Sequence, residues 1–122
     1  MLLMARILLA EDDDQLRAFL QRGLRRAGYA VDALGDGAAA LSMAEKINYD
    51  LLLADIVMPE LNGVDLARKV SELQPGIRVM FITGFAAVAI HDEGMTPNRP
   101  RVLAKPFHLR HLIEEVEHLL TE

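Results

Sequence analysis

Four sets of side chains in this sequence could do chemistry together: the run Glu11-Asp12-Asp13, a lone acid at Asp55, a hydroxyl at Thr83 and an amine at Lys105. Carboxylates gathered within a few ångströms repel one another and need a counter-charge to stay ionised. A hard divalent cation supplies it, and Mg²⁺ prefers oxygen ligands at about 2.0–2.1 Å in octahedral geometry while keeping several waters. A carboxylate, Mg²⁺, a hydroxyl and an ammonium together can handle a phosphoryl group. The carboxylate attacks phosphorus to give an aspartyl phosphate, the metal and the amine neutralise the transferring oxygens, and the hydroxyl hydrogen-bonds one of them. Each residue alone has a plainer reading. Asp55 could cap a loop or helix, Thr83 could cap a loop, and Lys105 could be a solvated charge. Asp13 and Asp14 read as first-turn helix acids rather than ligands, because Asp favours the N-cap and the positive helix end.

What must bring these groups together is a sheet. Leu51 to Ala54 is a continuous apolar run without alternation, as in a strand covered on both faces of a parallel sheet. Asp55 ends it, before Met58-Pro59 and Asn62-Gly63 turn the chain away. Arg6 to Ala10 reads as an equally buried first strand running into Glu11. Tyr29 to Ala33 alternates like a half-exposed edge strand, Arg78 to Ile82 reads as a fourth strand ending at Thr83-Gly84, and Val102 to Ala104 as a fifth ending at Lys105-Pro106. Helical spacing between them predicts helices from Leu16 to Ala27 with Gly28 as the stop, over Ala38 to Ile47, over Val64 to Leu73, briefly over Phe85 to Ile90, and over Leu109 to Leu120. Five βα units give a doubly wound α/β domain, a parallel sheet with helices on both faces. In the order 2-1-3-4-5, the acids after strands one and three meet where the winding reverses.

Composition narrows the function. With 122 residues, 52% hydrophobic and 25% charged, one compact domain spanning residues 1–122 is expected. There is no cysteine, hence no disulfide framework or thiolate site, and a reducing, cytoplasmic setting fits. The start MLLMARILLA is interrupted too soon by Arg6 and Glu11 for a signal peptide, and no apolar run reaches membrane-spanning length. A net charge of −5 is the wrong sign for general nucleic-acid affinity. His91, His108, His111 and His118 are scattered, and no third ligand accompanies the His108/His111 pair to suggest zinc.

The set ILLAEDD, LLLADIVMPELNG, FITG and LAKP resembles the receiver domain of two-component response regulators, over essentially the whole chain. That resemblance implies a CheY-like, flavodoxin-like fold and Asp55 as the residue that takes a phosphoryl group from a histidine kinase or histidine phosphotransferase. It further implies Asp12 as a direct Mg²⁺ ligand, Glu11 as the acid reaching the metal through water, Val57 as the donor of a backbone carbonyl, Thr83 and Lys105 as the phosphate-binding hydroxyl and amine, and a cis Lys105-Pro106 bond. The stretch from Leu51 to Ile90 is similar, more narrowly, to stand-alone receivers of α-proteobacterial phosphorelays. That likeness implies a role for the unphosphorylated form as adaptor for the ClpXP protease.

Two features depart from the family pattern. Val102 occupies the position usually held by a switch aromatic, and a β-branched side chain has one stiff χ1 and no long lever. The segment FAAVAI is unusually apolar. It either packs on the sheet or leaves Phe85, Val88 and Ile90 as a partner surface beside the last helix. The expected output is therefore contact with a protein target, from a monomer or weak dimer, with neither nucleic acid nor membrane as partner. A diffusible CheY-type regulator of another target is one alternative. An Asp-nucleophile phosphohydrolase is a weaker one, since such enzymes carry a second Asp where Val57 stands. A flavodoxin-like cofactor carrier would need a Ser/Thr/Gly-rich phosphate loop after the first strand, where acids stand instead. The regulatory half of a DNA-binding protein would need a second domain after Glu122.

Overall fold

A computed structural model describes residues 4–84 and 100–122 of the chain. Five strands, β1 (Arg6–Ala10), β2 (Ala30–Leu34), β3 (Leu51–Asp55), β4 (Arg78–Thr83) and β5 (Arg101–Ala104), alternate with helices α1 (Asp14–Arg26), α2 (Gly37–Ala44), α3 (Gly63–Leu73) and α4 (Leu109–Thr121). All pairings are parallel, in the order β2-β1-β3-β4-β5. The expected doubly wound sheet is thus the observed one. The short helix expected over Phe85 to Ile90 lies outside the described residues.

Strand periodicity sorts the apolar residues into two cores. Leu8, Ala10, Leu52, Ala54, Val79 and Phe81 pack toward α2 and α3. Ile7, Leu9, Leu51, Leu53, Met80 and Ile82 pack toward α1 and α4. Successive side chains of a strand point to opposite faces, so a strand covered on both faces needs apolar residues at every position. β3 is buried along its whole length.

The helices α1, α2 and α3 start where short polar side chains can accept the free amides of a first turn, whereas α4 follows His108 without a side-chain cap. Asp13 accepts from Gln15 and Leu16, Asp36 from Ala39, and Asn62 from Asp65. The reading of Asp13 and Asp14 as helix-start acids therefore holds, with Asp13 the cap and Asp14 in the first turn. Gly28 follows the end of α1 at φ 105°, a left-handed conformation that costs a glycine little.

Most boundaries shift from expectation by one or two residues, and two of the differences have tertiary reasons. β2 begins at Ala30 because the Tyr29 amide donates to the Leu24 carbonyl, still serving the end of α1. α2 stops at Ala44 rather than Ile47. There the buried Gln74 amide donates to the carbonyls of both Ala44 and Ile47, at 2.9 and 2.8 Å, while its Oε1 accepts from Tyr49 N. One side chain thereby satisfies two carbonyls left free around the end of the helix.

Candidate functional site

The C-terminal ends of the strands share one edge of the sheet. Ala10 pairs with Ala54, so the next residues, Glu11 and Asp55, leave adjacent strands side by side. Asp55 pairs with Ile82, Thr83 with Ala104, and Lys105 follows β5. Burial then separates the roles. Glu11, Asp55 and Thr83 are all but inaccessible, whereas Asp12 is exposed.

The acids do gather. One oxygen each from Glu11, Asp12 and Asp55 lies within 4.8 Å of the others. Lys105 joins them, its Nζ donating to Asp55 Oδ2 at 2.8 Å and standing 3.5 Å from Glu11 Oε1. The other Asp55 oxygen, Oδ1, accepts from Val57 N at 3.0 Å. Glu11 Oε2 accepts from Asp13 N at 3.0 Å. Its Oε1 is buried with no hydrogen-bond partner.

This electrostatic arrangement is poised rather than balanced. Burial, reinforced by the Asp55 charge, pushes the Glu11 carboxyl up to about 7, against the opposing pull of the Asp13 amide and Lys105. Desolvation alone would lower the Lys105 ammonium, but its hydrogen bond to Asp55 and the two acid charges more than compensate and hold it above the ordinary lysine value. One amine serves two buried acids, with Asp12 a third nearby. A buried carboxylate oxygen without a partner is costly. The donor set is all oxygen and carries more negative than positive charge, so it fits a hard divalent cation such as Mg²⁺. Among the described residues, no histidine belongs to a group able to hold a metal.

The other sequence-derived positions fall as follows. Val57 is 52% exposed as a residue and meets the site through its backbone amide. Thr83 is buried at the same edge, one residue beyond the partner of Asp55. The Lys105-Pro106 bond is cis. Val102 is opposite Phe81 on β5 and 43% exposed. Phe85, Val88 and Ile90 lie outside the described residues.

Sequence reasoning missed one contributor close to the site. Gly63, read only as part of a turn, opens α3 directly against the end of β3, where its amide donates to the Ile56 carbonyl at 2.9 Å. A Cβ on it would stand 2.2 Å from the Asp55 carbonyl oxygen. Only a residue without a side chain allows this approach. The Asn62-Gly63 pair was the available signal, but a glycine in a turn does not announce what it packs against. The left-handed residue of that loop is instead Glu60, at φ 65°.

Comparison with known proteins follows this geometry. A family model described as "Response regulator receiver domain" matches residues 7–117. The chain is 50% identical over 117 residues to the response regulator receiver protein CpdR of Brucella abortus, covering 96% of this chain and 98% of that protein. Other curated relatives are longer, and the chain spans about half or less of a number of them. The receiver domain of the hybrid histidine kinase CckA superposes with a TM-score of 0.80 at 35% identity, covering 94% of this chain and 98% of that one. The receiver domain of the Pseudomonas aeruginosa sensor histidine kinase PA1611, solved with a magnesium ion in its active-site cleft, does so at 0.83 and 26% identity, covering 98% of this chain and all of that one.

Proposed function

From the premise that the chain belongs to the response regulator receiver domain family, and so acts in phosphorelay signalling, we propose that Asp55 is its phosphoacceptor. The observation that carries this reading is the ion pair of Lys105 Nζ with Asp55 Oδ2 at 2.8 Å, beside a Glu11 Oε1 that has no hydrogen bond. The phosphoryl donor is a histidine kinase or histidine phosphotransferase. An Asp55 carboxylate oxygen attacks phosphorus in line with the leaving imidazole nitrogen. The P–O bond forms as the P–N bond breaks, and the imidazole takes a proton from solvent.

Val57 N keeps its hydrogen bond to one carboxylate oxygen, so the other is the nucleophile. Lys105 then moves its ammonium from that oxygen to the arriving phosphoryl oxygens, and the Thr83 hydroxyl donates to another of them. Glu11, Asp12, Asp55 and the Val57 carbonyl would hold Mg²⁺, with Glu11 acting through water. The bound ion would neutralise charge developing on the transferring oxygens. Receiver domains are signalling domains rather than classical enzymes. Val57 stands where a phosphohydrolase would carry its second acid, which supports acceptance of a single phosphoryl group without turnover.

Residues 1–122 act as a single receiver unit whose output is contact with a protein target. Likeness to CpdR over nearly the full length of both chains favours the stand-alone adaptor reading, in which the unphosphorylated form serves the ClpXP protease. With Val102 at the usual switch position, the response to phosphorylation does not run through an aromatic lever on β5. The test is intact-mass spectrometry after acetyl phosphate and Mg²⁺. Wild type is expected to gain one phosphate and Asp55→Ala none. Equal labelling of both refutes the assignment.

A further inference from the structure

Arg17, in the first turns of α1, reaches back over the loop that carries the acids. Its Nη1 donates to the Glu11 carbonyl oxygen at 2.9 Å, and its Nη2 to Asp14 Oδ1 at 2.7 Å. From the other side, the Glu11 amide donates to the Leu34 carbonyl at 3.1 Å. Both backbone polar groups of Glu11 are thus tied, one to β2 and one to α1. Oε2 is taken by the Asp13 amide, which leaves Oε1, without a hydrogen bond and 3.5 Å from Lys105 Nζ, as the oxygen turned to the notch. The fold also leaves space for this arrangement, since a Cβ on Gly35, in the turn after β2, would stand 3.0 Å from Arg17 Nη1.

We propose that Arg17 is a positioning residue for the metal-binding face of the acidic notch, holding the Glu11 carbonyl so that Glu11 Oε1 and the neighbouring Asp12 are presented together to Mg²⁺. The inference rests on the magnesium reading above. The Arg17 guanidinium bonds the Glu11 carbonyl and Asp14 rather than the Glu11, Asp12 or Asp55 carboxylates, so it acts through the backbone. A guanidinium suits this work because its planar fork holds two acceptors at once in fixed geometry, whereas an ammonium is a point donor on a flexible stem. Groups that orient metal ligands from behind commonly cost about 10–100-fold in metal affinity when removed.

The test is calorimetric titration of the full chain with Mg²⁺, alongside thermal melts without metal, for wild type, Arg17→Met, Arg17→Lys and Gly35→Ala. Arg17→Met is expected to bind Mg²⁺ about tenfold more weakly, with Arg17→Lys in between. Gly35→Ala, which keeps the guanidinium but displaces it, should weaken binding by a smaller factor. Half-maximal labelling by acetyl phosphate should need correspondingly more Mg²⁺ in Arg17→Met, with the rate at saturating Mg²⁺ near wild type, a split that a purely structural tie would not produce. Folded Arg17→Met with wild-type affinity overturns the proposal. If Arg17→Met does not fold, Arg17→Lys decides: weaker binding at an unchanged melting temperature supports the role, and wild-type affinity overturns it. Failure of the wild-type chain itself to bind Mg²⁺ overturns the magnesium reading and this inference with it, an outcome distinct from failure of the variants alone.

Discussion

At the scale of single residues, the site is an excess of buried negative charge held by one amine. Replacing Lys105 by Met removes the cation that lies 2.8 Å from Asp55 and the donor meant for the phosphoryl oxygens. Labelling by acetyl phosphate is expected to slow about 100-fold, the usual cost of one such donor, measured as initial rate by mass spectrometry. Glu11 makes a second prediction. Its carboxyl moves from an ordinary value of 4.5 to about 7 in the folded chain, so between those values the native state holds a proton that the unfolded chain has released. The stability this contributes is complete below the lower value and is lost as pH rises through the upper one. The melting temperature of the metal-free protein should therefore fall between about pH 5 and pH 7.5, as heat melts would show. Glu11→Gln should flatten that slope, and a slope unchanged in the variant would remove Glu11 as its source.

At the scale of elements, the contact between α3 and the end of β3 decides how well Asp55 is held. A Cβ at Gly63 would meet the Asp55 carbonyl oxygen at 2.2 Å, and neither backbone can yield cheaply. Gly63→Ala is expected to cost about 1–3 kcal/mol, the range for forced overpacking, and to slow labelling of the molecules that remain folded. Urea melts and labelling rates measure the two effects separately. Gln74, at the end of α3, ties the end of α2 and the connection from α2 to β3 through three hydrogen bonds. Gln74→Leu should leave buried carbonyls and an amide unpaired at about 1–3 kcal/mol each in the worst case. Because Gln74 belongs to the opposite end of the sheet, the labelling rate per folded molecule should be unchanged.

At the scale of the molecule, two apolar cores on either face of one sheet hold five strand ends in register. Phe81 is fully buried in the core under α2 and α3, and Phe81→Ala should cost about 3–5 kcal/mol, read as a shift in the urea midpoint. Leu53 faces the opposite core. Combining Phe81→Ala with Leu53→Ala tests whether the two cores melt as one cooperative unit, since strands shared between them predict a single transition in every probe.

Much was open to reading from the chain alone, for a local reason. Unbroken apolar runs in β1, β3 and β4, each ended by a polar residue, state both that a strand is buried on two faces and where it meets the sheet edge. Gly28 and Asp13 mark helix ends because capping needs only a few neighbouring residues. So the strand order, the companions of Asp55 and the helix-start role of Asp13 all followed from pattern and resemblance. Contacts between segments far apart in sequence did not. That α2 stops early because Gln74 takes its carbonyls, that Gly63 leaves room against Asp55, and that Arg17 braces Glu11 from α1 depend on distances across the fold, which no spacing along the chain records. Local sequence determines which groups stand at the ends of strands; only tertiary packing decides how closely they approach, and here that approach leaves one glutamate oxygen buried without a hydrogen bond beside a shared amine.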